Sequence, residues 1–434
     1  MLGRPVGNNR AVTFRYFAYG SNLWVPQMRS RCLSARPIAA GVLEGWRVVY
    51  DKPSTDGSAK LNIRPDPEGS VHGVIYELSD GDRPALDAAE PLYRAIEVTV
   101  GNEAMLAYTY EGEASDELPY DWYVATVLVG AQSHGLPTES LEVSVAADPL
   151  APGIHPSQDE LGVMYDILSG GIARNDDRYY IHPGDLSWWR YHSDPRFPDH
   201  DTYWVQDDSA FVVIDSRPPG EINGVARPGV DRIPLMRWAQ RRLDGRGEFA
   251  WISDTDSELV TYLEGEGYER VHIDRSYRWD LTGDLPEPVV PDGWMLRSVT
   301  GEDEANERRR ASHAAFESTM PEAMHLQRYL DFMRSPAYVP ERDLVSVAPD
   351  GRIASFMVWW GDESGIAQIE PFGTHPDYHR QGLGRALLYH GLGEMRAAGM
   401  HTCRVVTDDD REATSFYEGV GFRDVGRLHW WARR

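Results

Sequence analysis

The chain has 434 residues, of which 41% are hydrophobic and 26% charged, and its formal net charge is −25 at pH 7. This length fits two to four domains of about 100–200 residues each. The excess of acidic residues argues against a nucleic-acid partner, because such proteins use clustered Lys and Arg to displace counterions from phosphates. The two cysteines, Cys32 and Cys403, are too few for a disulfide framework or a Cys-rich metal site, and we expect no metal.

The hydropathy pattern gives no indication of a membrane protein. No apolar run approaches the ~20 residues that span a bilayer, and residues 1–10 lack the apolar core of a signal peptide. We therefore expect a cytoplasmic protein without a membrane partner. The sequence leaves a homodimer open.

The first segment, residues 13–144, is typical of short strands with few helices. The pattern predicts strands over residues 13–18 and 71–78 and a hairpin formed by residues 96–100 and 105–110. A stretch rich in Asp, Pro and Gly, residues 146–158, predicts a linker.

A tight turn follows the first predicted strand, with the sequence Tyr-Gly-Ser-Asn-Leu at residues 19–23. Successive main-chain N–H groups of such a turn can form an anion-binding nest. Three further motifs follow in order, at residues 71–78, 86–94 and 130–137. Together the four motifs resemble the gamma-glutamylcyclotransferase family, which is related to AIG2-like proteins.

The resemblance implies a small twisted β-barrel with a pocket for a γ-glutamyl group. Glu90 corresponds to the family's catalytic acid/base, which moves a proton from the α-ammonium to the departing amine and so releases 5-oxoproline. The alternative is an ordinary helix-start carboxylate beside Pro91, and Pro91 stands where family members often have Gly. The residues expected to bind the substrate are Tyr19, Gly20, Ser21, Asn22, Leu23 and Tyr123.

The rest of the chain contains an internal repeat. Residues 258–268 match residues 412–422, with both paired glycines preserved, and a strand with aromatic residues follows each copy. The middle copy has Val230 to Ile233 where the last copy has the glycine pair Gly382 and Gly384. We therefore expect the middle copy to be structural or to shape a substrate cleft.

The last predicted boundary lies at residues 282–293, which contain three prolines. The expected domains are residues 1–148, 155–285 and 290–434. The expected fold class is mixed α+β, a small β-barrel followed by two α/β domains.

Gly382 and Gly384 lie between an extended segment, residues 366–372, and a helical pattern, residues 383–397. Glycines there let main-chain N–H groups approach phosphate oxygens at the helix N-terminus. With the motif at residues 413–422, this pattern resembles the acetyl-CoA-binding core of the GCN5-related N-acetyltransferase family. His379 departs from the family pattern, which usually has Gln or Arg at that position.

This second resemblance implies acetyl transfer from acetyl-CoA to an amine. Glu370 is then the candidate base and Tyr417 the candidate general acid. The alternatives are a strand-edge carboxylate paired with an Arg and a helix aromatic packed on Phe422. The residues expected to contact acetyl-CoA are Phe372, Gly373, Thr374, His379, Arg380, Gln381, Gly382, Leu383, Gly384 and Arg385.

The two resemblances together predict a bifunctional biosynthetic or tailoring enzyme. Its partners would be small molecules, a γ-glutamyl amine for one site and an amine for the other. One alternative keeps only the acetyltransferase, with the barrel as a recognition module. A non-catalytic binding protein and an aminoacyl-tRNA-dependent transferase are further alternatives, and the net charge disfavours the last.

Overall fold

The structure is a computed structural model that describes residues 12–157, 161–172, 181–192 and 201–434. The chain divides into two compact units. Unit 1 comprises Met1–Gln158, Phe197–Gly220 and Pro234–Arg242, and unit 2 comprises Asp159–Arg196, Glu221–Ile233 and Leu243–Arg434. Within the described ranges, no helix combines the length and the apolar character needed to cross a membrane. The division into three domains stays a prediction.

Five strands of unit 1 form a sheet. In chain order, the elements of the first 157 residues are β1 (Thr13–Ala18), α1 (Val25–Arg31), β2 (Arg36–Pro53), β3 (Ala59–Ser79), α2 (Arg83–Ala89), β4 (Arg94–Val100), β5 (Glu103–Thr109), α3 (Asp121–Ser133) and β6 (Ile154–Ser157). The sheet order is β2-β3-β1-β5-β4, with β1 antiparallel to β3 and parallel to β5. The predicted first strand and the β4–β5 hairpin are confirmed, while closure into a barrel stays a prediction.

The expectation of short strands is wrong for β2 and β3, which contain 18 and 21 residues. Their pairing contains irregularities, the largest where Glu44 pairs with Ser70 and Trp46 pairs with Pro65. The two prolines at 65 and 67 fall at this irregularity, where a missing N–H removes no ladder bond. A turn-like composition therefore interrupts the pairing without ending either strand.

The expected linker also differs from the structure. Its described part contains β6, and the Asp148 side chain is fully buried. Trp122 Nε1 donates to Asp148 Oδ2 at 3.0 Å, and Arg241 Nη2 donates to the same oxygen at 2.8 Å. These contacts lie within unit 1, so at Asp148 the segment is packed into that unit and is not an exposed connection.

The middle of the chain alternates strands and helices. Its described elements are α4 (Leu161–Ile172), α5 (Pro183–Tyr191), β7 (Asp201–Gln206), β8 (Ala210–Asp215), β9 (Glu221–Ala226), α6 (Ile233–Arg242), β10 (Glu248–Ser253), α7 (Ser257–Gly265) and β11 (Glu269–Asp280). The last third contains β12 (Met295–Ser298), α8 (Ala305–Ala315), α9 (Glu322–Met333), β13 (Asp343–Val347), β14 (Ile353–Gly361), β15 (Ile366–Thr374), α10 (Leu383–Ala397), β16 (Thr402–Asp408), α11 (Arg411–Val420) and β17 (Arg423–Ala432).

The predicted repeat is visible in the element order. The matched segments form α7 and α11, and a strand follows each helix. Both helices begin at an Asp whose side chain accepts a main-chain N–H, Asp256 from Leu259 and Asp410 from Ala413. In both copies a parallel strand pair precedes this helix, β9 with β10 and β15 with β16.

The last strands of the two copies are exchanged within unit 2. β11, which ends the middle copy, pairs antiparallel with β16 of the last copy. β17, which ends the last copy, pairs antiparallel with β10 of the middle copy and with β11. Each copy therefore completes the hydrogen bonding of the other copy's sheet.

Candidate active sites

The first candidate site lies where β15 separates from β16. The two strands pair in parallel only from Ile366 to Gln368, whereas β15 continues to Thr374. The β14–β15 ladder is irregular at the same place, since Met357 pairs with Phe372 and Trp359 with Ile369. The extra residue is on β15, in the stretch that contains Glu370. Glu370 therefore lies where β15 no longer pairs with β16 and where its pairing with β14 is irregular, so its side chain is not packed as in a regular sheet.

The Glu370 carboxyl has a strongly shifted acidity. Burial, and second the negative charge of Asp185, raise its pKa to about 8. Its main-chain oxygen accepts a hydrogen bond from Trp360 Nε1 at 2.8 Å, which fixes the strand at this point. Among the described residues no arginine pairs with the Glu370 carboxylate, so the interpretation as half of a strand-edge ion pair is not supported.

Sequence reasoning missed Asp185, which belongs to the first turn of α5. Asp185 Oδ2 accepts the main-chain N–H of His182 at 2.7 Å, while the His182 ring accepts that of Gly184 at 2.9 Å. Asp185 Oδ1 accepts a hydrogen bond from Gln368 Nε2 at 2.5 Å. A Cβ on Gly184 would lie 2.2 Å from Trp360 Cγ, so only glycine allows this approach. The only sequence signal was His-Pro-Gly-Asp, a helix-start pattern.

Tyr417 lies on α11 and is only 7% exposed. Its ring stacks on Tyr277 at a centroid distance of 5.7 Å and contacts Phe422 edge to face at 5.5 Å. Burial, with smaller contributions from the charges of Glu370 and Cys403, raises the pKa of Tyr417. The packing alternative is therefore observed, and the same environment keeps the hydroxyl protonated and able to donate.

The loop before α10 fits a pyrophosphate. Gly382 has φ +79°, a conformation that favours glycine, and α10 begins at the next residue. A Cβ on Gly384 would lie 2.8 Å from Thr374 Oγ1. The main-chain N–H groups of the first helical turn have no intrahelical acceptor and can bind phosphate oxygens. The residues that would hold acetyl-CoA here are those of the sequence prediction, and their roles stay predictions.

Two side chains of that prediction have other contacts. His379 Nε2 lies 2.9 Å from the main-chain oxygen of Thr374 and ties the loop to the end of β15. Phe372 packs on Phe416 at 5.6 Å. The departure at His379 therefore provides a loop tether, which leaves phosphate binding to main-chain groups.

The second candidate site is built by the turn after β1, which contains residues 19–23. Asn22 Nδ2 donates to Glu90 Oε1 at 2.9 Å and to Tyr16 Oη at 3.0 Å. Arg31 Nη1 donates to Asn22 Oδ1 at 2.8 Å and lies 3.3 Å from Glu90 Oε1. The structure thus brings together two residues that the sequence predicted, Asn22 and Glu90, and adds Arg31, which sequence reasoning missed.

Glu90 sits where α2 ends and a turn begins. Burial raises the pKa of Glu90, against the opposing charges of Arg31 and Lys52 and the Asn22 hydrogen bond. Tyr93 N–H donates to Glu90 O at 3.2 Å, and Leu92 has φ +70°. Pro at the second position and a positive φ at the third are typical of a type II turn. Pro91 is therefore compatible with this loop.

Aromatic side chains line the rest of the second site. Tyr19 Oη donates to Tyr108 O at 2.7 Å, and Tyr123 Oη accepts the main-chain N–H of Leu61 at 3.1 Å. A Cβ on Gly20 would lie 3.5 Å from Tyr123 Oη. Tyr123 thus lies beside the 19–23 loop, as the sequence predicted. Helix α3, which carries Tyr123, packs on this loop through Gly130 because a Cβ there would lie 2.4 Å from the main-chain nitrogen of residue 24.

Some N–H groups of the predicted anion-binding turn have partners within the turn itself. The main-chain N–H of Leu23 donates to Gly20 O at 2.9 Å, and that of Trp24 donates to Ser21 O at 3.2 Å. In the described ranges no such bond is seen for the N–H groups of Ser21 and Asn22. The N–H groups of Leu23 and Trp24 are therefore satisfied within the turn, and anion binding by this turn stays a prediction.

A group of potential metal ligands lies outside both sites. His272, Asp274 and Asp408 place one ligand atom each within 4.8 Å of one another. His272 Nε2 lies 3.0 Å from Asp274 Oδ1 and 3.6 Å from Asp408 Oδ1. The contacts of the His272 ring with the two carboxylates account for this cluster.

Two family models match the chain. The acetyltransferase (GNAT) family matches residues 307–422, and the family of gamma-glutamyl cyclotransferase, AIG2-like proteins matches residues 16–124. The second match includes the 19–23 loop and Glu90, and the first includes Glu370, Tyr417 and the glycine loop.

Curated relatives match part of the chain. A mycothiol acetyltransferase of Clavibacter michiganensis subsp. michiganensis is 32% identical over 231 residues, covering 50% of this chain and 69% of that protein. A mycothiol acetyltransferase of Streptomyces avermitilis is 34% identical over 155 residues, covering 34% of this chain and 49% of that protein. The chain thus spans about half the length of the Streptomyces relative.

Two solved structures show similarity to part of the chain. A gamma-glutamyl cyclotransferase is 24% identical, covers 31% of this chain and 90% of its own, and has a TM-score of 0.29. A tandem GNAT protein from the clavulanic acid biosynthesis pathway is 15% identical, covers 64% of this chain and 97% of its own, and has a TM-score of 0.47. The fold is mixed α and β, as the sequence predicted. From the family models and the Clavibacter relative, the chain belongs to the acetyltransferase (GNAT) family and carries a gamma-glutamyl cyclotransferase-like domain ahead of its acetyltransferase part.

Proposed function

We propose that this protein transfers acetyl from acetyl-CoA to an amine of a small molecule and also cleaves a γ-glutamyl amide by cyclotransfer. The observation that carries the first activity is Glu370, a carboxyl of raised pKa at the point where β15 and β16 separate. The names of the curated relatives, mycothiol acetyltransferases, support acetyl transfer. The proposal specifies the acceptor only as an amine of a small molecule.

Glu370 and Tyr417 divide the proton transfers of the first reaction. Acetyl-CoA supplies the acetyl group as a thioester, whose C–S bond breaks as the new N–C bond forms. Glu370, in its ionised form, accepts the proton that the amine nitrogen loses. Tyr417, held protonated by burial, donates its proton to the leaving sulfur. The main-chain donors at the start of α10 hold the pyrophosphate and so position the thioester.

Glu90 carries the proposed second reaction. It accepts a proton from the α-ammonium of the γ-glutamyl group, and the freed nitrogen attacks the γ-amide carbonyl. The amide C–N bond then breaks, and Glu90 returns the proton to the departing amine. The products are 5-oxoproline and a free amine. Asn22 and Arg31 orient the carboxylate through the Oε1 atom, which leaves Oε2 for proton transfer.

One assay tests both activities. The protein is incubated with isotopically labelled acetyl-CoA, a panel of small amines and their γ-glutamyl amides, and products are measured by mass spectrometry. We expect labelled N-acetyl product that Tyr417→Phe suppresses, and 5-oxoproline that Glu90→Gln suppresses. Absence of labelled product with every amine would contradict the first activity.

A second candidate function keeps acetyl transfer alone and makes the N-terminal domain a recognition module. The ion pair between Arg31 and Glu90 favours this second candidate, because such a pair can stabilise a pocket in which Glu90 has no catalytic role. If this candidate is right, Glu90→Gln leaves every measurable activity unchanged.

A further inference from the structure

Lys52 is a buried cation beside the second site. It lies near the end of β2, is 4% exposed, and its Nζ stands 4.9 Å from the centroid of the Tyr93 ring. Within the described ranges, its ammonium has neither a hydrogen bond nor an ion pair. Of the negative charges that act on the Lys52 ammonium, that of Glu90 has the largest effect on its pKa.

The other carboxylates near Lys52 already have cations. Asp51 Oδ2 accepts from Arg64 Nε at 2.8 Å, and Asp56 Oδ2 accepts from Lys60 Nζ at 2.7 Å. Glu90 is in turn the partner of Arg31, as described above. Lys52 therefore leaves one positive charge in excess within an enclosed part of an acidic protein.

An enclosed ammonium without a hydrogen bond or an ion pair is costly, because burial removes its hydration and no direct partner replaces it. Burial lowers the pKa of Lys52, and the charge of Glu90 opposes that shift. An anionic ligand beside Lys52 would remove the cost. The Tyr93 ring contacts the ammonium on one side.

We propose that Lys52 binds the α-carboxylate of the γ-glutamyl group. This inference rests on the proposed cyclotransfer, and it adds a residue that the sequence motifs did not include. A γ-glutamyl group carries a carboxylate and an ammonium on one carbon, and the site offers the complementary pair, Lys52 and Glu90. The ammonium of the ligand faces Glu90, and its carboxylate faces Lys52 and the main-chain donors of Ser21 and Asn22.

A binding experiment on the full chain compares two lactams of the same ring. 5-Oxoproline carries the carboxylate and 2-pyrrolidinone lacks it, and calorimetry measures both. We expect the wild type to prefer 5-oxoproline by about tenfold to a hundredfold, the range of a charge-assisted hydrogen bond. Lys52→Met should abolish the preference, and Lys52→Arg should retain part of it. Equal binding of both lactams to the wild type, or an unchanged preference in Lys52→Met, overturns the proposal.

A labelling experiment avoids the risk that a variant fails to fold. Lys52 and Lys60 are the only lysines, so trinitrobenzenesulfonate modification can be assigned by peptide mass. We expect 5-oxoproline to protect Lys52 and 2-pyrrolidinone not to, with Lys60, paired with Asp56, as the internal reference. Equal labelling of Lys52 with and without 5-oxoproline overturns the proposal.

The two proposals fail in different ways. Glu90-dependent release of 5-oxoproline with the same KM in wild type and Lys52→Met would overturn the Lys52 assignment and leave cyclotransfer standing. Lys52-dependent binding of 5-oxoproline without any turnover would support the carboxylate site and overturn cyclotransfer.

Discussion

Asp185 lies close enough to Glu370 for its negative charge to add to the effect of burial, and together they raise the pKa of the Glu370 carboxyl to about 8. The two residues are far apart in sequence, and the hydrogen bond between Asp185 and Gln368 holds α5 against β15. A helix from the middle of the chain therefore contributes to the raised pKa of the candidate base in the last copy.

The first prediction concerns pH. Because the carboxyl pKa is raised, Glu370 is mostly protonated at pH 7 and becomes a base as pH rises. Acetyl transfer should therefore increase with pH and level off above about 8, measured with an acceptor amine that titrates outside this window. Glu370→Gln should lower kcat by about 10²- to 10⁴-fold and remove the rise of the rate with pH. If the same rise with pH persists in Glu370→Gln, the titrating group is another residue.

The second prediction tests the source of the shift. Asp185→Asn removes a negative charge near Glu370, so the pKa of Glu370 should fall and the pH midpoint of acetyl transfer should move below 8. The asparagine keeps an oxygen for the His182 N–H. Asp350→Asn, at an exposed surface aspartate of unit 2, is the matched control and should leave the midpoint in place. An identical midpoint in both variants would exclude Asp185 as the cause.

The third prediction separates the chemistry of Tyr417 from its packing. Tyr417→Phe keeps the ring contacts with Tyr277 and Phe422, so the melting temperature should change little while kcat falls by about 10²-fold or more. Tyr389→Phe is the matched control, because it also removes a tyrosine hydroxyl. In the wild type that hydroxyl donates to a main-chain oxygen at 3.3 Å. We expect its kcat to be close to wild type. Equal activity of the two variants would show that Tyr417 only packs.

The fourth prediction compares two glycines of one helix. Gly384→Ala places a methyl group 2.8 Å from Thr374 Oγ1, and the Kd for acetyl-CoA should rise by about tenfold or more. Gly393→Ala, in open space on α10, should leave that Kd unchanged and raise the free energy of unfolding by about 0.5–1 kcal/mol. Calorimetry and denaturant unfolding give the two quantities. A similar Kd in both variants would remove the glycine loop from the acetyl-CoA site.

Local patterns predicted the parts of the fold that depend on local chemistry. The helix over residues 383–397 has the predicted bounds, because glycines and a strand mark its start and an apolar face its length. The 19–23 loop and Glu90 were found as motifs, and the structure brings Asn22 and Glu90 together.

Contacts between distant parts of the chain could not be predicted in this way. Asp185, Arg31 and Lys52 belong to the sites only because the topology brings them there, and each is ordinary in its own stretch of sequence. The lengths of β2 and β3 were missed for a related reason, since cross-strand pairing resumes after the irregularity at residues 65–69.

The exchanged strands have a consequence for how such a chain can change over time. The middle copy has Val230 to Ile233 where the last copy has Gly382 and Gly384, yet β11 still supplies the edge against which β16 pairs. Point substitutions in residues 230–233 would leave this pairing intact, while deletion of the middle copy would leave an open edge on the sheet of the last copy. The middle copy is thus needed as a scaffold whether or not it binds a ligand, and it also places Asp185 against β15.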